Sequence, residues 1–85
     1  MSYRLDFTTA ARKQFLNLAK PVQKRIAPRV DALATDPRPH GVKKLQGGKD
    51  LYRIRVGDWR IIYTIRDREL LVLVVRIANR RDAYR

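Results

Sequence analysis

The alternation of apolar and polar residues between positions 52 and 63 predicts a β-hairpin. Val, Ile, Tyr and Trp alternate with arginine on both sides of Gly57-Asp58. Glycine at the first of two central positions is typical of a type II′ turn, which joins two antiparallel strands. A two-residue turn sets the register, so Arg55 should lie opposite Arg60. The other predicted pairs are Val56 with Trp59, Ile54 with Ile61, Arg53 with Ile62, and Tyr52 with Tyr63.

Successive side chains of a strand point to opposite faces, so this register gives the hairpin two different surfaces. The arginines at 53, 55 and 60 share one surface. Like charges directly opposite each other destabilise a sheet, and Arg55 opposite Arg60 therefore indicates an anionic ligand. The alternative is that these arginines only solvate the outer face of a half-buried sheet. The second, apolar surface consists of Tyr52, Ile54, Val56, Trp59, Ile61 and Tyr63.

The segment before the hairpin has the pattern of a strand and a helix. Residues 3–7 alternate as a strand does. Thr8 or Thr9 is a suitable N-cap for a helix that extends to about Ala19. The apolar stripe of this helix is Ala11, Phe15 and Leu18.

A second helix is predicted directly afterwards. Pro21 suits its first position, and Asp36-Pro37 ends it. Pro28 inside the helix removes a hydrogen bond, which predicts a kink. Its buried face has the spacing of Val22, Ile26, Val30 and Leu33.

The remaining segments complete an α+β fold. Residues 36–50 form a long basic loop that leads into the hairpin. Leu70–Val75 is apolar on both faces, as in a central strand. The element order is therefore β-α-α-β-β-β, with a helical hairpin packed on one face of a small, mostly antiparallel sheet. This arrangement is a two-layer α+β sandwich of one domain, residues 1–85.

The charge of the chain indicates a polyanionic partner. Twenty Lys and Arg residues face 8 Asp and Glu residues, which gives a net charge of +12. Such an excess most often marks a protein that binds nucleic acid, although an acidic protein partner satisfies the same physics. Most of the basic residues are arginines, which favour bidentate contacts with phosphate or carboxylate.

Composition argues against several other classes of function. The chain has no cysteine and one histidine, His40, so neither a metal site nor a cofactor is predicted. His40 lies in a proline-flanked loop and is expected at the surface without a catalytic role. The N-terminus lacks the apolar core of a signal peptide, and the longest apolar run is too short to span a membrane. A cytoplasmic protein is expected.

The candidate site is a cationic groove that contains a tyrosine. It combines the hairpin arginines with basic residues of the preceding loop and of the C-terminal tail. Such a site can bind phosphodiesters and stack a base on tyrosine. It can also cleave RNA, whose 2′-hydroxyl is a built-in nucleophile, by positioning it and stabilising charge on the phosphorane. The residues are Arg53, Arg55 and Arg60 of the hairpin, Lys43 and Lys44 of the loop, and Arg80, Arg81 and Tyr84 of the tail.

These segments together resemble a known family. The motifs are Lys43-Lys44-Leu45-x-Gly47, the stretch from Leu51 to Tyr63, an apolar strand, and Arg80-Arg81-x-x-Tyr84. Over essentially the whole chain they resemble the RelE toxins of the RelE/ParE superfamily. The resemblance implies the RelE-like microbial RNase fold and the toxin half of a type II toxin–antitoxin pair. It also implies a ribosome-dependent mRNA endoribonuclease that cleaves in the ribosomal A site without metal, through attack of the 2′-hydroxyl. The implied partners are mRNA, the ribosome and a small acidic antitoxin encoded by a neighbouring gene. Binding to a membrane is not implied.

The resemblance also implies a role for each site residue. Arg53 and Arg55 match the basic hairpin positions that bind the backbone or assist proton transfer, and Arg60 matches the arginine that stabilises the scissile phosphate. Arg80 matches the basic residue after the last strand, and Tyr84 matches the C-terminal aromatic residue. Lys43, Lys44 and Arg81 are implied RNA-binding residues.

Two departures from the family pattern leave the general base open. Many relatives have Gly-His where this chain has Ala78-Asn79. Arginine replaces lysine at 53 and 55 relative to some members, and arginine stays protonated. Two other functions remain: a ParE-like toxin that inhibits DNA gyrase without cutting RNA, and a non-catalytic binding module. Arg80 with Tyr84 favours the nuclease.

Overall fold

The computed structural model describes residues 2–46 and 50–79 and has two helices on one face of a five-stranded sheet. The sheet order is β1-β5-β4-β3-β2, and β1 is parallel to β5 whereas all other neighbours are antiparallel. This architecture confirms the two-layer α+β prediction. The strands are β1 (Arg4–Phe7), β2 (Lys43–Lys44), β3 (Leu51–Val56), β4 (Trp59–Arg66) and β5 (Leu71–Asn79), and the helices are α1 (Thr9–Leu16) and α2 (Lys20–Ala32).

The hairpin of β3 and β4 has the predicted register. Arg55 pairs with Arg60, and the other four predicted pairs are also present. The backbone angle φ is +60° at Gly57 and negative at Asp58. This combination is that of a type II′ turn and excludes type I′, in which both central residues have positive φ.

Gly57→Ala should lower the free energy of unfolding by about 1–2 kcal/mol, because an L-residue pays this cost at positive φ. A Cβ at position 57 would meet no other atom within 4 Å, so the cost comes from the backbone alone. In a domain of this size the melting temperature should fall by about 4–8 °C per kcal/mol. Asp58→Ala is the matched control and should melt close to the parent. Equal melting of Gly57→Ala and the parent would contradict the assigned turn.

The core lies between the helices and the apolar face of the hairpin. Ile26 and Val30 of α2 pack with Ile54, Ile61 and Tyr63 of the sheet, and all five are at most 2% exposed. Trp59, at the turn end of the hairpin, is only half-buried and packs against the edge of this core. The helices therefore cover one face of the hairpin and leave its other face, with the arginines, open.

Local hydrogen bonds explain where the first helix begins and ends. The Thr8 hydroxyl accepts a hydrogen bond from the Ala11 N–H at 3.1 Å, so Thr8 is the N-cap. The predicted end near Ala19 is wrong, because α1 ends at Leu16. The side-chain amide of Gln23, on α2, donates to the carbonyls of Phe15 and Leu18 and so satisfies groups at this end.

Two further differences concern the middle of the chain. α2 is a single helix from Lys20 to Ala32 with Pro28 inside it, and the kink there stays a prediction. The segment 36–50 is not entirely a loop, because β2 pairs Lys43 with Arg53 and Lys44 with Tyr52. The structure keeps the predicted order β-α-α-β-β-β and adds β2 as a short edge strand before the hairpin. Within the described part of the chain, no helix is long and apolar enough to cross a membrane.

Candidate nucleic-acid interface

A cluster of five basic residues lies near the β3–β4 turn, on the face of the sheet that points away from the helices. Ile54, Val56 and Ile61 point to the core, so the residues between them along the hairpin point outward. Residues paired across neighbouring strands share a face, which places Lys43 beside Arg53 and Arg76 beside Ile62. We call this surface the cationic face. It consists of Lys43, Arg53, Arg55, Arg60 and Arg76.

Basic residues are clustered on this surface. Within the described part of the chain, the ion pairs Arg38–Asp67, Lys44–Asp50 and Arg66–Glu69 do not involve Lys43, Arg53, Arg55 or Arg76. Arg55 and Arg60 are nevertheless direct cross-strand partners. Clustered like charges in a twisted sheet raise the local potential and attract anions.

Arg76 was missed by the sequence analysis. Strict alternation from Val72 and Val74 would turn the side chain of residue 76 toward the core. Instead, Arg76 is exposed and pairs with Ile62 of β4. Two residues, Val75 and Arg76, separate the buried positions Val74 and Ile77, where regular alternation would leave one.

The structure does not bring Lys44 to the cationic face. Lys44 pairs with Tyr52, whose side chain points to the helical side of the sheet. Its ammonium lies 6.0 Å from the centre of the Tyr52 ring and 3.8 Å from a carboxylate oxygen of Asp50. The remaining predicted site residues, Arg80, Arg81 and Tyr84, lie outside the described residues.

A hydrogen-bonded latch holds the segment that leads into β2. Asp67 accepts hydrogen bonds from the Tyr3 hydroxyl at 2.6 Å and from the Arg38 guanidinium at 3.0 and 3.3 Å. Arg38 also lies 5.5 Å from the centre of the Tyr52 ring. Nearby, the Tyr63 hydroxyl donates to the Pro37 carbonyl at 2.7 Å. These contacts tie residues 37–38 to β3, to β4 and to the turn after β4.

The latch predicts a specific pH dependence of stability. The hydrogen bond from Arg38, with that from Tyr3, lowers the pKa of Asp67, and the bond to Asp67 raises the pKa of Tyr3. A carboxyl group whose pKa is lower in the folded protein stabilises the fold at pH values above its pKa in the unfolded chain, about 3.9. This stabilisation is lost as the pH falls through the pKa of the folded protein. A raised phenol pKa contributes below about 10 and is lost as pH rises through the folded pKa.

Urea denaturation of the parent and of Asp67→Asn should show the contribution of Asp67 and its loss at acidic pH. The midpoints should differ modestly at pH 7, because the carboxylate is exposed, and the difference should shrink as the pH falls below the unfolded value of about 3.9 and through the lowered folded pKa. Asp31→Asn, at an exposed carboxylate on α2, is the matched control. A difference between the parent and Asp67→Asn that is as large at low pH as at pH 7 would contradict the latch.

The cationic face offers charge-assisted hydrogen bonds to phosphate. Arg53 and Arg60 are half-buried, which limits their freedom, whereas Arg55 and Lys43 are exposed. Guanidiniums that are already in place stabilise charge as it develops on a phosphorane without reorganisation. The face can therefore bind a sugar–phosphate backbone and can stabilise the transition state of phosphodiester cleavage.

Apart from the cationic face, the structure has a pocket on the helical side of the sheet. Its volume is about 260 Å³, and Phe7, Phe15 and Val30 contribute to an apolar lining with Arg12 and Asp31 among its residues. Since its lining is mostly apolar and one of its two charged groups is a carboxylate, it does not suit a polyanion. The candidate site is therefore the cationic face.

Comparison with known proteins gives a consistent family assignment. The family model described as the ParE toxin of the type II toxin–antitoxin system parDE matches residues 5–84. A protein of Escherichia coli named a putative RelE-like toxin protein is 31% identical, over 99% of this chain and 92% of its own length.

Solved structures show the same fold. RelE in the archaeal RelE–RelB complex of Pyrococcus horikoshii OT3 is 30% identical, with a TM-score of 0.81 over 94% of this chain and 97% of the other. A chain of the intact E. coli RelBE toxin–antitoxin complex is 26% identical, with a TM-score of 0.82 over 92% of this chain and 96% of the other.

Proposed function

Since the chain belongs to the RelE/ParE superfamily of toxins from type II toxin–antitoxin systems, we propose that it is an mRNA interferase. In this proposal it is an endoribonuclease that cleaves translated mRNA in the ribosomal A site. The observation that supports it most is the cationic face, on which Arg60 lies directly opposite Arg55. Clustered guanidiniums suit a phosphodiester site, because several of them can donate charge-assisted hydrogen bonds to neighbouring phosphates.

The proposed reaction uses the nucleophile of the RNA itself. The 2′-hydroxyl loses its proton and attacks the adjacent phosphorus, and the bond to the 5′-oxygen breaks. The leaving 5′-oxygen takes up a proton, so the products are a 2′,3′-cyclic phosphate and a 5′-hydroxyl. Arg60 stabilises the added negative charge on the phosphorane, and Arg53 and Arg55 hold the backbone. This step needs no metal ion.

The C-terminal residues complete the proposed site. Arg80 neutralises or protonates the leaving oxygen, and Tyr84 stacks on a base or takes part in proton transfer. Arg81 adds an RNA contact. Lys44, which pairs with Tyr52, contacts the RNA only at the edge of the site.

The proposed protein partner is a small acidic antitoxin. Relatives of solved structure are described as RelE–RelB and RelBE complexes. A net charge of +12 favours an acidic partner for this chain. We expect a neighbouring reading frame to encode it, and its coexpression should abolish toxicity.

The second candidate is inhibition of DNA gyrase, because the matching family model is named for ParE. Induction of the chain in cells separates the two functions. Primer extension should show new cuts within codons of a translated message and none in a matched message whose start codon has been changed. Loss of plasmid supercoiling with an intact message would instead favour the ParE-like function and contradict the proposal.

A further inference from the structure

β5 contains a bulge beside the cationic face. Ile62 and Tyr63 are consecutive on β4, but their partners on β5 are Arg76 and Val74. Val75 is therefore an extra residue without a partner on β4. Bulges of this kind change the direction in which the following side chains point, and they are frequent next to active sites.

The bulge shifts which side chains of β5 enter the core. Val72 and Val74 are fully buried, and the next core residue is Ile77 rather than residue 76. If Val75 were a regularly paired residue instead of a bulge, the alternation would continue and would direct Arg76 into the apolar layer. A buried, unpaired guanidinium is strongly unfavourable, so the bulge and the outward position of Arg76 depend on each other.

Residues of the N-terminal segment hold the bulge in place. The Thr8 hydroxyl donates to the Val75 carbonyl at 3.3 Å, and the Ile77 N–H donates to the side-chain carbonyl of Gln14 at 2.8 Å. Both groups belong to the edge of β5 that extends beyond β1. These side chains satisfy backbone groups of β5 next to the bulge that have no strand neighbour because the pairing with β1 ends at Val74.

Arg76 completes a symmetrical arrangement around Arg60. Arg60 pairs with Arg55 on β3 and with Ala78 on β5. Arg53 and Arg76 are each two residues further along those strands, so both are diagonal neighbours of Arg60. Diagonal neighbours lie about 7–8 Å apart, within reach of long side chains. A phosphate bound at Arg60 is thus flanked by a guanidinium on each side.

We infer that Arg76 binds the RNA phosphate that neighbours the one at Arg60, and that the bulge at Val75 positions it there. This inference rests on the proposed function. Arg76 has no ion pair within the described residues, and a third arginine beside Arg60 adds repulsion that an anion relieves. Arg76 extends the cationic face from three strands to four.

Salt dependence of RNA binding tests the inference. The probe is a fluorescently labelled single-stranded RNA oligonucleotide whose 2′-hydroxyls are all methylated, so that no cleavage competes with binding. With four to six phosphate contacts, the log–log slope of affinity against salt should be roughly −3 to −4 for the parent. Arg76→Gln should make this slope less steep by about 0.7, the value for one contact, and Arg76→Lys should retain the parent slope.

Two further variants, Arg68→Gln and Arg60→Gln, serve as controls for Arg76→Gln. Arg68→Gln removes the same charge at an exposed position in the turn after β4 and should leave the slope unchanged. If Arg60→Gln reduces the slope and Arg76→Gln does not, the inference is wrong and the proposed function stands. If Arg68→Gln reduces it as much as Arg76→Gln, the charge acts at a distance and the inference is also wrong. A parent slope near zero would contradict both the inference and the proposed function.

Discussion

Tyr63→Ala should lower the free energy of unfolding by about 3–5 kcal/mol, the usual cost of truncating a buried aromatic residue. Tyr63 is fully buried, and its ring stacks on that of Tyr52 with the centroids 6.0 Å apart. Burial also raises the pKa of the Tyr63 phenol, so its hydroxyl remains a donor to the Pro37 carbonyl. Small domains have a total stability of about 5–15 kcal/mol, and this variant should be partly or wholly unfolded at 37 °C.

Urea denaturation followed by circular dichroism measures this loss. Tyr63→Phe is the matched control, because it keeps the ring and removes only the hydroxyl. It should cost about 1 kcal/mol, the typical value of one hydrogen bond. If Tyr63→Ala were as stable as the parent, the assigned core would be wrong.

Arg60→Gln should abolish RNA cleavage while the protein remains folded. Removing one group that stabilises a developing oxyanion typically lowers the rate by 10²–10³. The changed side chain is half-buried on the open face of the sheet, so the urea midpoint of the variant should lie close to that of the parent. Single-turnover cleavage on ribosomes programmed with a message gives the rate.

Arg68→Gln is the control for net charge and should cleave at the rate of the parent. Two results would contradict the role of Arg60. One is a folded Arg60→Gln protein with full activity, which would place the chemistry elsewhere. The other is an unfolded Arg60→Gln protein, which would mean that Arg60 stabilises the fold rather than the transition state.

The hairpin could be predicted in detail because its signals are local. Gly57-Asp58 determines the turn type, and the turn type determines every pair from Arg55–Arg60 outward. The start of α1 was equally local, because an N-cap acts on the next three residues; of the two predicted candidates, Thr8 and Thr9, Thr8 is the N-cap. The three hairpin arginines of the cationic face follow directly from that register.

Features that depend on distant residues could not be predicted in the same way. β2 has two residues, too few for an alternating pattern, and it forms because Arg53 and Tyr52 provide a partner strand. The end of α1 depends on Gln23, and the outward position of Arg76 depends on a bulge held by Thr8 and Gln14. Tertiary contacts decide all three, so Lys44 and Arg76 are on faces that the sequence did not indicate.

The most direct test of the central claim is cleavage of a message in which one sugar has been changed. Ribosomes are programmed so that the A-site codon contains either ribose or 2′-deoxyribose at the cleaved nucleotide. We expect the ribose message to be cut to a 2′,3′-cyclic phosphate and a 5′-hydroxyl, and the 2′-deoxy message to stay intact. Cleavage of the 2′-deoxy message, or a product with a 3′-hydroxyl, would contradict the central claim.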